Sequence, residues 1–296
     1  VTSGMLLIDK PAGHTSHDVV ARARRALGTR KVGHAGTLDP MATGLLTLGV
    51  GPSTRLLTYL VGLDKQYETT IVLGRATTTD DAEGEPLGSP ATVEALEAVT
   101  DESLAREVSR LTGPIEQRPS AVSAVKVDGK RAYDRVRAGE EVELAARAVT
   151  IAAFDVLAVR RTGAAIEVDA RIDCSSGTYI RALARDLGAA LGVGGHLSAL
   201  RRTRVGPFPV ASAIDLERLA DEGPAALLPA ASVAELLFPV LRLDAQQAVD
   251  LGHGKKLDLT GQEDAEPVAA VAGDGRLVAL ISVRRGVGRT LVGFPA

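Results

Sequence analysis

The chain has 296 residues, of which 45% are hydrophobic, a formal net charge of −3 and a single cysteine. This size and composition allow a substantial core in one large domain plus a small one, argue against a generic polyanion binder, and exclude an internal disulfide or a thiolate metal cluster. No apolar run reaches the ~20 residues that a bilayer-spanning helix needs, and Val1-Thr2-Ser3-Gly4 carries no basic or signal-like stretch, so a cytoplasmic protein without a membrane partner is expected.

In chain order, Met5-Leu6-Leu7-Ile8 reads as a short strand stopped by the turn composition Asp9-Lys10-Pro11-Ala12-Gly13. A helix follows, capped by Thr15 or Ser16, with Val19, Val20, Ala23, Ala26 and Leu27 as its apolar face and Gly28 at its end. Its outer face carries Arg22, Arg24 and Arg25. Next comes the run Lys31-Val32-Gly33-His34-Ala35-Gly36-Thr37-Leu38-Asp39-Pro40-Met41-Ala42-Thr43-Gly44, where glycines, a proline and small residues crowd one carboxylate. Glycine allows close approach of a ligand and proline fixes φ, so the segment reads as a rigid loop displaying one acid. Taken alone, it is better explained as a turn whose aspartate merely accepts backbone hydrogen bonds, and other parts of the chain must overturn that reading.

Residues 67–73 alternate as a strand, and 93–111 have helical spacing with an acidic, solvated face. Residues 119–143 read as a basic appendage with a hairpin signal at Asp128-Gly129 and cations at Lys126, Lys130, Arg131, Arg135 and Arg137. Ile166, Val168, Ala170, Ile172 and Cys174 alternate with polar residues as a half-exposed strand that turns Cys174 inward. After Ser175-Ser176-Gly177 a helix buries Ile180, Leu183, Ala184, Leu187 and Leu191, with Arg181 and Arg185 projecting from its flank. Residues 222–229 are assigned to a helix packing on the first domain, and three short strand-like runs after Pro239 predict a small β-rich domain. Strands and helices interleave without βαβ spacing, so the fold class is α+β: a mixed, largely antiparallel sheet flanked by helices, with domains at 1–238 and 239–296.

Common chemistries lack their partners. A glycosidase needs a second carboxylate, which Asp81 or Glu83 can supply without any spacing that demands it. His14, His17, His34, His196 and His253 form no zinc motif, and no phosphate-binding or dinucleotide-binding glycine loop is present, so no metal and no cofactor are expected.

Several separated motifs carry a resemblance: residues 4–20, the Asp39 loop, Leu63-Asp64-Lys65-Gln66-Tyr67, Asp80-Asp81-Ala82-Glu83-Gly84, Gln117-Arg118-Pro119-Ser120, Cys174-Ser175-Ser176-Gly177-Thr178-Tyr179-Ile180-Arg181 and Leu200-Arg201-Arg202. In this order they resemble the bacterial TruB-type tRNA pseudouridine-55 synthases, in register from about residue 4 to 210. The resemblance implies a pseudouridine synthase fold followed by a PUA-like RNA-binding domain. It implies isomerisation of the T-loop uridine at position 55 to pseudouridine, with Asp39 as nucleophile, Arg181 holding its charge, and Tyr67 stacking on the base or taking its C5 proton. Asp81 then orients the arginine, Leu200 walls the base pocket, and His34 fills the gap left by the flipped base. By the same resemblance Lys10, Tyr179 and Arg202 contact substrate, and Lys130 and Arg131 meet phosphates. Thr78 and Glu83 stand where relatives often carry Asp, which touches only the surroundings of Asp81.

The expected partner is tRNA, through its T arm, bound by a monomer without guide RNA. Two other readings use the same residues: an RNA-binding or RNA-folding protein that grips a flipped base without chemistry, and a synthase that depends on guide RNA and partner proteins. A carboxylate beside RNA phosphate is costly for mere binding, which favours the enzyme.

Overall fold

The computed structural model describes residues 2–120, 126–127, 130–131 and 145–295, with backbone alone at 126–127 and 130–131. Strand β1 (Gly4–Lys10) leads into α1 (Ser16–Ala26), β2 (Val32–Ala35) and β3 (Thr43–Val50), and the short α2 (Leu57–Val61) precedes β4 (Lys65–Leu73). Two-residue strands β5 (Ala76–Thr77) and β6 (Pro86–Leu87) pair around the turn that carries Asp80 and Asp81. Helices α3 (Val93–Glu97) and α4 (Asp101–Arg110) are followed by β7 (Gly113–Gln117), and β8 (Lys126–Val127) pairs antiparallel with β9 (Lys130–Arg131). Then come β10 (Arg147–Arg161), β11 (Ile166–Cys174), α5 (Ile180–Ala190), β12 (Gly195–Val205), β13 (Phe208–Pro209), α6 (Leu216–Glu222) and α7 (Ala230–Leu237). The chain closes with β14 (Val240–Leu243), α8 (Ala245–Gly252), β15 (Leu257–Asp258), β16 (Ala265–Ala272), β17 (Leu277–Arg284) and β18 (Val287–Gly293).

Contacts divide the chain into two compact units, one of Val1–Leu38, Leu45–Val61 and Pro207–Ala296, the other of Asp39–Gly44 and Gly62–Gly206. In the second unit β4 lies between β11 and β12, antiparallel to both, and β10 and β7 extend the sheet beyond β11. Alternation explains the packing. Lys65, Tyr67, Thr69, Ile71 and Leu73 of β4 are buried, as are Ile166, Val168, Ala170, Ile172 and Cys174 of β11, while their neighbours face outward. Helix α5 buries Ile180, Leu183, Ala184 and Leu187, and each buried leucine contributes roughly 2 kcal/mol.

The start of β3 joins this sheet in the parallel sense, Thr43 opposite Arg201 and Gly44 opposite Arg202. Gly44 has φ 97°, and a Cβ there would stand 2.3 Å from the carbonyl oxygen of Arg202, so only glycine fits. That close approach fixes the exit of the Asp39 loop.

In the first unit, Thr15 closes a capping box on α1 with Asp18, and the Ser16 hydroxyl accepts from Leu38 N at 2.9 Å, seating the residue before Asp39. Strands β1 and β2 flank residues 45–50 of β3. A five-stranded sheet in the order β14-β16-β17-β18-β15, parallel at β14/β16 and antiparallel elsewhere, packs with α8 around Leu243, Leu251, Leu257, Val268 and Ile281.

The α+β class and the mixed, largely antiparallel sheet are those read from the sequence, and some segments differ. Residues 93–111 form two helices, because the Thr100 hydroxyl caps the second by accepting from Ser103 N at 3.2 Å. Residues 222–229 do not continue one helix: Gly223 at φ 53° ends α6, a 3-10 turn follows, and α7 starts at Ala230. Arg181 points inward rather than projecting from the helix flank. The basic appendage at 119–143 lies for the most part outside the described residues.

Candidate active site

Asp39 sits in the loop between Leu38 and Thr43, where the Ala42 N–H donates to its carbonyl at 3.1 Å and tightens the turn. Its carboxylate meets the Arg181 guanidinium, Oδ2 to Nε at 2.9 Å. The two side chains differ in access: Arg181 is 4% exposed and Asp39 is 36% exposed. A reachable acid is thus backed by an unreachable cation.

Arg181 occupies the first turn of α5, so its side chain starts from a rigid element. Its Nη1 stands 3.2 Å from Oδ2 of the buried Asp81 and donates to the carbonyl of Thr79 at 2.7 Å. One guanidinium therefore spans two carboxylates and a carbonyl, which its planar fork allows and an ammonium would not. Asp81 is itself fixed: its Oδ1 accepts from the Thr79 hydroxyl and from Glu83 N, and its carbonyl accepts from the Thr77 hydroxyl at 2.7 Å. An isolated bridge to Leu197 ties this turn to β12.

Tyr67 lies on β4 directly opposite Arg202 of β12 and Ile172 of β11. Burial pushes its hydroxyl up from the usual phenol range; the adjacent Arg202 guanidinium opposes this, and the nearby Asp39 charge adds to it. The phenol therefore stays protonated at neutral pH, an apolar ring with a donor tip. Leu200 is buried on β12 opposite Thr69, two residues before the buried Arg202. At the start of β4, burial and then the Arg202 charge lower the Lys65 ammonium to about 8, and burial raises the neighbouring Cys174 thiol to about 11.

The structure thus gathers Asp39, Arg181 and Asp81 into one chain of contacts and sets Tyr67 against Arg202 beside it. Tyr179 enters through its backbone: the Gln117 side chain accepts from its N–H at 2.8 Å and donates to its carbonyl at 3.0 Å, holding the start of α5. His34 lies in the first unit on β2, opposite Leu48, with its ring edge-on to His17 at 5.7 Å. Lys10, also in the first unit, is buried, and its ammonium donates to the carbonyls of Pro11 at 3.0 Å and His14 at 2.7 Å, so it fastens the turn after β1. The side chains of Lys130 and Arg131 lie outside the described residues. Thr79, Gln117, Asp80, Arg185 and Lys65 were not singled out from the sequence as site residues. Lys65, Asp80 and Gln117 lie within the motifs that carry the resemblance and Arg185 lies one helical turn from Arg181, whereas nothing in the sequence points to Thr79. Among the described residues no group of three or more His, Cys, Asp or Glu side chains could hold a metal ion, and no helix is long and apolar enough to cross a membrane.

The N-terminal domain of the TruB family of pseudouridylate synthases matches residues 24–180, the C-terminal domain of tRNA pseudouridylate synthase B matches 181–240, and the C-terminal domain of tRNA pseudouridine synthase II matches 238–295. A tRNA pseudouridine synthase B from Leifsonia xyli subsp. xyli is 64% identical, covering 100% of this chain and 98% of that protein. One from Arthrobacter sp. (strain FB24) is 53% identical, covering 99% and 96%. Among solved structures, an H/ACA RNP bound to a substrate RNA containing 2'-deoxyuridine matches with a TM-score of 0.74 at 25% identity, covering 100% of this chain and 86% of that one.

Proposed function

The chain belongs to the TruB family of pseudouridylate synthases, and from that premise we propose that it converts the uridine at position 55 in the T loop of tRNA to pseudouridine, with Asp39 as nucleophile and no cofactor. The observation that carries the assignment is the contact at 2.9 Å between a solvent-accessible carboxylate and a buried guanidinium. Covalent catalysis needs an ionised acid that substrate can reach, and a fixed positive charge behind it supplies the first condition without blocking the second.

In the reaction the glycosidic bond from N1 to C1′ breaks, the uracil turns, and C5 bonds to C1′. The C5 proton leaves and N1 regains one, so no electrons are exchanged with a carrier. Asp39 bonds to the nucleoside as the bond from C1′ to N1 breaks and is released when C5 bonds to C1′, and Arg181 holds the carboxylate oriented throughout, itself held by Asp81 and the Thr79 carbonyl. Tyr67 offers its ring as the stacking platform and its protonated hydroxyl as a donor, and Leu200 excludes water from the same pocket. A stacked T-loop uridine must leave its stack to reach Asp39, and His34 is assigned to the vacated space.

Arg202 keeps the Tyr67 hydroxyl in place. Lys10 contributes through the turn it fastens, and Tyr179 through the helix start it forms. Lys130 and Arg131 meet phosphates in the insertion at 119–143 of a catalytic domain spanning 1–238, and 239–296 form a PUA-like domain. The protein acts as a cytoplasmic monomer that recognises the T arm directly, without guide RNA.

Release of tritium from C5-labelled uridine in unmodified tRNA tests this reading, with native protein and Asp39→Asn compared at equal tRNA occupancy. Release by native protein alone is the expected result. Equal release by both proteins removes Asp39 from the nucleophile role, no release by the native protein leaves the binding-only reading, and undiminished release from tRNA carrying cytidine at position 55 overturns the assigned position.

A further inference from the structure

Beside the contact chain Asp39–Arg181–Asp81 runs a second one that the reaction as described does not use. Arg185 lies one turn after Arg181 on α5, and Asp80 precedes Asp81 in the same turn, with Arg185 Nη1 standing 3.2 Å from Asp80 Oδ2. Two arginines on one helix therefore grip two consecutive aspartates, at the same 3.2 Å separation in each pair. Side chains four apart on a helix share a face, and consecutive residues of a turn can each reach it only if the backbone between them is bent.

Asp80 supplies the bend. Its φ is 60°, in the left-handed region that aspartate tolerates better than most residues but still enters at a cost. A conformation of this kind persists where its surroundings over-determine it. The Asp80 carbonyl accepts from Leu197 N at 3.0 Å, anchoring the turn to β12, and its carboxylate is largely buried. Burial drives that carboxyl up, while the Ser120 hydroxyl and Arg185 draw it back toward its charged form.

Arg185 is tied down in turn. Its Nη2 donates to the carbonyl of Arg118 at 2.8 Å and its Nε donates to Asp186 at 2.9 Å. The residue before Arg118 is Gln117, whose amide brackets the Tyr179 backbone at the start of α5. Both ends of the first two turns of the helix are thereby fastened to one short stretch, 117–118.

We propose that the Asp80–Arg185 pair is a positioning device for the reaction: it holds the bent turn in register with α5 so that Asp81 and the Thr79 carbonyl present Arg181 to Asp39 at contact distance. The proposal rests on Asp39 and Arg181 acting as proposed above. Neither Asp80 nor Arg185 touches the nucleophile, so both act through Arg181. Without the pair, the turn relaxes away from its left-handed kink and Asp81 shifts, and the guanidinium loses the fixed orientation that the carboxylate relies on.

Single-turnover tritium release on the full chain, with tRNA affinity measured separately by filter binding, tests it. Asp80→Asn keeps a residue that accepts the left-handed backbone while removing the charge, and Arg185→Gln removes the partner. Each is expected to slow the single-turnover rate tenfold or more with tRNA affinity within twofold of native. Arg185→Lys, which keeps the charge, is expected to recover most of the rate. The decisive arm is the Asp81→Asn background, where the charged link to Arg181 is already cut and the Thr79 carbonyl alone remains: there Arg185→Gln is expected to add a loss well below the tenfold factor it causes alone.

An undiminished rate in both single variants, or the same tenfold factor in the Asp81→Asn background, overturns the proposal. If Arg185→Gln is unfolded by far-UV circular dichroism, Asp80→Asn carries the same comparisons, alone and in the Asp81→Asn background. An inactive native protein, or an active Asp39→Asn, instead removes the functional reading beneath it.

Discussion

Replacing Arg181 with methionine tests the electrostatic core of the site through stability as well as rate. The substitution leaves Asp81, whose side chain is 4% exposed, as a buried charge without its counterion. Breaking a buried pair by removing one partner costs about 3–5 kcal/mol. Asp81 keeps its hydrogen bonds from the Thr79 hydroxyl and Glu83 N, which places the cost near the lower end, about 3 kcal/mol. Asp39, 36% exposed, regains water and adds at most about 1 kcal/mol. Adding Asp81→Asn to Arg181→Met neutralises the orphaned charge, so the double variant should be more stable than the single one by about 1–2 kcal/mol, although both are inactive. Urea midpoints followed by far-UV circular dichroism give the order native, double, single. A single variant within about 1 kcal/mol of native, or a double variant no more stable than the single, would show that Arg181 is not the counterion of Asp81.

Two further perturbations follow from the same unit. Gly44→Ala drives a Cβ to within 2.3 Å of the Arg202 carbonyl oxygen and 2.8 Å of its nitrogen, both backbone atoms, at φ 97°. The parallel pairing must separate, so tritium release should fall at least tenfold and stability by roughly 2 kcal/mol or more, and an active variant with native stability refutes the close approach. Lys65 carries a pKa lowered from 10.5 to about 8 by burial, so between those values the unfolded chain binds the proton that the folded chain has released. Its contribution to stability therefore rises with pH from about 8 to 10.5, by roughly 3 kcal/mol in all. Subtracting the pH profile of Lys65→Met from that of the native protein should leave this rise, and a flat difference refutes the burial of a titrating ammonium.

Parts of the fold were legible because one physical pattern dominated locally. Strands β4 and β11 alternate cleanly, since one face meets the core and the other does not. Strand β12 escaped notice because register shifts after Leu197 and Arg202 break its alternation, and because Arg202 is a charged residue on an inward position. Strand β3 is buried almost throughout, so its run of apolar residues carries no period from which to infer an exposed face. Asp39 stood out through the company it keeps. Arg181 drew notice only through the resemblance: beside the apolar stripe of α5 an arginine reads as solvated, and the Asp81 carboxylate it meets lies a hundred residues away in the chain. Lys10, Lys65 and Arg202 are hidden for the same reason, because a buried cation is made tolerable by carbonyls and neighbours that only the folded chain assembles.

The seclusion of Arg181 matters for a protein whose substrate is a polyanion. A guanidinium open to solvent would be claimed by whichever phosphate arrived first, and every nucleotide along the RNA brings one. Walled in, this side chain is out of reach of the backbone of an incoming strand and stays with Asp39, Asp81 and the Thr79 carbonyl, so crowding by tRNA, or by any other nucleic acid, leaves that charge pairing undisturbed.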